Sequence, residues 1–179
     1  MKRFADIFLR ALMTGFAIGI GGAVYLSCDN KYLGAFLFGT GLFVILSFGF
    51  NLFTGKVGYA VVNKPSYILD LIVIWLGNLA GTVIMGGMLL CTRISGIGEK
   101  AAEICAVKFN DNLLSIFILA IFCGMLMFTA VEGSRKCKEE KNFTGSLFVV
   151  VMPVMVFIIC GFNHCIADMF YYFFAGCPE

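Results

Sequence analysis

The sequence predicts an all-α integral membrane protein, and three observations carry that prediction. The 179 residues are 60% hydrophobic with a mean hydropathy of +0.95. Only 13% are charged, about half the share that lets a soluble domain cover a water-facing surface. The apolar runs are continuous and reach the roughly 20 residues that a spanning helix needs, rather than alternating as in a membrane strand.

Taken in order, the runs place spans at 7–27, 33–62, 67–92, 112–131 and 143–176. They form one transmembrane domain over 1–179. The first run has no clear small-residue cleavage site and is followed by further spans, so it reads as a helix rather than a secretory signal. With the N-terminus in the cytoplasm, Lys2, Arg3, Arg10, Lys64, Arg135, Lys136, Lys138 and Lys141 fall inside. Lys31, Arg93, Lys100 and Lys108 then fall outside. The inner excess of Lys and Arg supports that orientation, in a cytoplasmic (inner) membrane. The cluster from Arg135 to Lys141 reads as a cytoplasmic loop, and 94–110 as a solvated outer connection apart from Lys108. Most of the eight cysteines lie in or beside apolar runs, where cysteine acts as a small hydrophobe. Cys28, Cys91, Cys105 and Cys177 share the outer side and are free to pair, although no spacing requires it. The small-xxx-small pairs Gly15/Gly19 and Gly77/Gly81 read as helix-packing positions.

Two runs, 33–62 and 143–176, overshoot a bilayer, and each is interrupted by the same tripeptide. Gly49-Phe50-Asn51 recurs as Gly161-Phe162-Asn163, 112 residues later. Glycine permits a sharp turn, and irregular backbone at membrane depth survives only where it is buried in protein or lines a cavity. Broken helices in matching positions of two halves point to a transport path. The halves run from about 7–92 and from about 110–179, the second being incomplete. His164, the only histidine, sits beside the second break. In isolation it reads as a satisfied core histidine. Cys160, His164 and Cys165 are close in sequence, but one histidine without a second ligand cluster argues against a metal site. No cofactor motif appears, and an enzyme is the least favoured class.

The segments Asn51-Leu52-Phe53-Thr54-Gly55 and Gly161-Phe162-Asn163-His164-Cys165-Ile166-Ala167-Asp168-Met169-Phe170 resemble the two signatures of the formate/nitrite transporter family of pentameric anion channels. The stretch from Trp75 to Gly81 and the Met152-Pro153-Val154 step add context, and the resemblance covers nearly the whole chain. It implies an aquaporin-like inverted-repeat bundle with broken second and fifth spans. It also implies a passive or proton-linked channel for small monovalent anions or weak acids of the formate, nitrite and hydrosulfide class. The partners so implied are the anion, a proton, membrane lipid and four further copies in a homopentamer; no nucleic acid and no cofactor are called for.

By the same resemblance, His164 is the central pore histidine and Thr54 the threonine facing it. Lys108 is the lysine at the outer end of the fourth span that draws anions in, and Asn51 and Asn163 lie on the pathway. Phe38, Leu42, Leu52, Phe53 and Phe157 fall at the apolar constrictions. Two departures stand out. Asn51 and Asn163 replace family acids, while Lys56 and Asp168 replace family asparagines. A lone charge in the bilayer needs a partner, so a Lys56–Asp168 pair is expected; the alternative has Lys56 facing the pore as a second attractor. The chain also ends before the family's sixth span. A five-span, non-transporting protein or partner subunit is the competing reading.

Overall fold

The computed structural model describes residues 2–176, and Cys177 lies outside the described residues. Eight α-helices and two short 3-10 turns follow one another. They are α1 Lys2–Ser27, α2 Lys31–Phe48, α3 Phe53–Lys56, α4 Tyr67–Leu90, α5 Gly98–Phe109, α6 Leu113–Glu139, α7 Phe143–Cys160 and α8 Cys165–Phe174. Five of them (α1, α2, α4, α6 and α7) are long and apolar enough to cross a membrane.

The two oversized runs are each split where the shared tripeptide lies. Gly49 (φ 67°) ends α2 and Gly161 (φ 72°) ends α7, both in the left-handed region that glycine enters without a Cβ penalty. Beyond each glycine the chain turns back on its own helix. Phe50 N–H donates to Ile45 O and Phe162 N–H to Phe157 O, both at 2.9 Å. The same closure at both sites is a Schellman-type stop. Leu52 and His164 are then extended and start α3 and α8. Each break is thus a stop, a short extended link and a restart.

Glycines decide how closely the first half packs. A Cβ on Gly81 would lie 2.2 Å from Leu12 O, and one on Gly15 would lie 2.5 Å from Asn78 O. The α1–α4 contact is therefore backbone against backbone, as the small-residue spacing predicts. The core gathers around the breaks, with Phe38, Leu42, Ile45, Leu52, Val154, Phe157, Ile166 and Phe170 all buried.

Two boundaries differ from the sequence reading. The stretch 94–110 is not a solvated connection, because it contains α5, whose Ala101 and Cys105 are fully buried. Its short apolar face was masked by Glu99, Lys100 and Glu103. The fourth span runs on to Glu139, so Arg135, Lys136 and Lys138 are the last turns of α6 rather than a loop. Basic residues suit that position, where the helix dipole is negative. Lys31, Lys100 and Lys108 gather with Asp29 and Asp168 at one end, and Arg3 with Asp70 and Lys138 with the end of α2 at the other.

Candidate functional site: the junction of the two broken helices

The starts of α3 and α8 come together at the centre of the bundle. Thr54 Oγ1 lies 3.1 Å from His164 Nε2, and both side chains are buried. His164 is the N-cap of α8, and its Nδ1 accepts from Ala167 N–H at 3.1 Å. A ring nitrogen that accepts carries no proton, so the neutral imidazole holds its proton on Nε2 and donates it to Thr54 Oγ1. One side chain thereby caps α8 and bridges to the start of α3.

An apolar shell closes around this pair. The Phe157 ring stacks on the imidazole with centroids 5.2 Å apart, and Phe38 meets Phe157 edge-on at 5.8 Å. Leu42 and Leu52 are buried beside them, and Phe53 packs partly exposed against the same core. All five residues expected at the constrictions therefore border one cluster.

On one side of the waist lies a cavity of about 220 Å³ whose lining includes Tyr25, Lys31, Lys108, Phe157, Asp168 and Tyr171. A second cavity of about 320 Å³ lies on the α6 side of Lys108, Asn163 and Asp168. Lys108 and Asp168 border both. Lys108 Nζ donates to Asp168 Oδ1 at 2.7 Å, Asn163 Oδ1 at 2.9 Å and Phe162 O at 3.5 Å. Three acceptors match the three donors of an ammonium group. The pair is about nine-tenths buried on both sides, with 12% and 9% of the side chains exposed.

The expected Lys56–Asp168 pair is thus not formed. Asp168 takes Lys108, which α5 delivers to the start of α8, whereas Lys56 makes no ion pair within 4 Å among the described residues. Lys56 ends α3, and its backbone carbonyl accepts from Tyr67 Oη at 3.2 Å. Lys108 itself sits on α5, before the fourth span, with Asn110–Asn112 turning the chain between them. The two asparagines also part company. Asn163 faces Lys108 and donates to Ile116 O, but Asn51 donates to Ile7 O and is spent on holding α1.

Asn78 of α4 joins the site without being marked by either motif. It is fully buried, accepts from Phe53 N–H at 2.9 Å and donates to Ala11 O and Asn51 O, both at 2.8 Å. It satisfies the free backbone on both sides of the first break. Its signal was in the sequence, as a lone amide inside an apolar span. Two lysines were likewise missed. Lys31 Nζ donates to Ile159 O near the end of α7, and Lys138 Nζ donates to Leu46 O near the end of α2.

Two matched helix breaks, joined by a threonine–histidine contact and flanked by a buried lysine–carboxylate pair, coincide with a family assignment. The profile of the formate/nitrite transporter family matches residues 1–177. The chain belongs to the formate/nitrite transporter family. A solved pentameric formate channel with formate bound superposes with a TM-score of 0.85 at 28% identity, over 97% of this chain and 75% of that one. The formate channel FocA of Haemophilus influenzae is 26% identical over 79% of this chain and 52% of its own. The uncharacterized transporter YwcJ of Bacillus subtilis is 27% identical over 90% of this chain and 70% of its own. The chain spans about half of FocA from H. influenzae and 64% of FocB from Escherichia coli. These relatives are channels and transporters rather than enzymes. The acid beside Lys108 is Asp168, on the first turn of α8, with an amide at 163.

Proposed function

We propose that the protein conducts small monovalent anions or their weak acids, of the formate, nitrite and hydrosulfide class, as a passive or proton-linked channel. The observation that carries this reading is the Thr54–His164 contact inside the shell of Phe38, Leu42, Leu52 and Phe157. An ionised solute crossing such a shell loses water without gaining a full set of partners, which is costly. A neutral weak acid crosses at far lower cost, and desolvation itself favours the neutral form. With the His164 N–H engaged on Thr54 Oγ1, the Thr54 hydroxyl hydrogen remains to meet one small polar solute inside the shell.

The geometry also bears on the proton. An imidazolium needs hydrogens on both ring nitrogens, and His164 Nδ1 is occupied by the Ala167 N–H. Charging His164 would break the cap of α8. Water in the outer cavity is therefore the favoured proton source, with His164 held as a neutral donor.

In the same reading, Lys108 and Asn163 border the path on the outer side, and the protein assembles as a homopentamer in the inner membrane with the N-terminus cytoplasmic. Exposed Leu113, Leu114, Phe117, Ile121, Phe122 and Met125 on α6 supply apolar surface for lipid or a neighbouring copy. The pentameric assembly of the structural relative supports this arrangement.

The test is formate uptake into proteoliposomes at pH 5 and pH 7, beside His164→Ala. Uptake faster at pH 5 and altered by the substitution is the expected result. Uptake equal to that of empty liposomes for formate, nitrite and hydrosulfide alike would overturn the reading.

A further inference from the structure

The outer cavity contains two lysines, and only one is free to attract an anion. Lys108 spends its three donors on Asp168, Asn163 and Phe162, and its charge is cancelled by the carboxylate 2.7 Å away. An arriving anion meets a closed, neutral pair there. Lys31 differs in each respect. It lines the same cavity of about 220 Å³, is exposed, and donates to a single backbone carbonyl, Ile159 O, at 3.0 Å. No carboxylate lies within 4 Å of it among the described residues. The nearest acid in sequence, Asp29, is paired with Lys100 at 3.1 Å.

From this we infer that Lys31 is the anion-recruiting cation of the outer cavity, and that Lys108 serves chiefly to hold the second break in place. The inference rests on the channel reading and names its specificity-determining residue. An ammonium with two donors to spare, at the rim of an apolar-walled cavity, raises the local concentration of monovalent anions such as formate or nitrite. The cavity walls supply the low dielectric that focuses its field. Asn30, which caps α2 through Tyr32 and Leu33 N–H, holds the start of that helix and so the position of Lys31. The bland alternative is that Lys31 merely caps the last carbonyls of α7, as Lys138 caps those of α2.

The two roles separate by experiment on the full chain. Cys160 is exposed and adjoins the carbonyl that Lys31 holds, so its thiol samples the potential there. Anionic and cationic methanethiosulfonates of similar size are applied, and peptide mass spectrometry reads modification at Cys160. Formate influx against concentration is measured in parallel in liposomes. Lys31→Gln is expected to lower the anionic-to-cationic rate ratio about tenfold and to raise the half-saturating formate concentration. Lys31→Arg keeps both, and Lys138→Gln, at the other end of the bundle, keeps the ratio. A wild-type ratio in Lys31→Gln, with or without a lower melting temperature, reduces Lys31 to a helix cap and overturns the inference while formate influx upholds the channel. A lowered ratio in a chain that carries no anion sustains the charge assignment and defeats the channel reading instead.

Discussion

Thr54 and His164 meet across 110 positions of sequence, Oγ1 to Nε2 at 3.1 Å, each at the start of a short helix that follows a break. Because Nδ1 is engaged by Ala167 N–H, the hydroxyl is the sole acceptor of the buried Nε2–H among the described residues. Thr54→Val therefore leaves that donor unpaired and is expected to cost about 1–3 kcal/mol. Thr54→Ser should recover most of it, as read by thermal unfolding in detergent.

The cap makes a separable prediction. His164→Asn keeps a side-chain acceptor suited to an N-cap, whereas His164→Ala removes it, at a cost of about 1 kcal/mol. Amide exchange at the start of α8 should quicken in the alanine variant and stay near wild type in the asparagine variant. Uptake should change in both. Equal exchange in the two would show that the Ala167 bond does not hold α8.

Breaking the Lys108–Asp168 pair from either side should be worse than removing it. Lys108→Gln leaves a carboxylate buried and unpaired, an effect of about 3–5 kcal/mol. Adding Asp168→Asn should restore much of that stability, since an amide pair leaves no charge behind. If the double variant is no more stable than Lys108→Gln alone, the pair is not coupled.

Asn78 serves three backbone groups at once. Asn78→Leu should destabilise the first break and accelerate amide exchange over residues 50–56. Asn78→Asp retains the acceptor for Phe53 N–H but loses both donors, so its effect should be intermediate only if that single bond matters most.

Gly81→Ala tests the α1–α4 contact. Its methyl would meet Leu12 O at 2.2 Å, which is backbone and cannot rotate aside. A loss of about 1–3 kcal/mol is expected, against little change for Gly96→Ala, where nothing lies within 4 Å.

Much of this molecule was written in the order of its residues. The apolar runs, the two glycine-marked breaks and the motif around His164 are local properties. Membrane insertion depends on the apolarity of each segment, and a left-handed stop depends on a residue without a Cβ. His164 stood out as the only histidine, whereas Thr54 and Lys108 were marked by the resemblance to the family. Which charge meets which was decided only by the tertiary structure. Lys56 and Lys108 are both lone bases in sequence, and Asp168 pairs with whichever one packing brings to α8. That depended on α5, whose buried Ala101 and Cys105 anchor a segment that composition describes as polar. Packing likewise turned Asn51 toward α1, set Asn78 at the first break, and left Lys31 with no carboxylate within 4 Å among the described residues. The cost of a buried charge or amide depends on what surrounds it, and no spacing within a single helix supplies that.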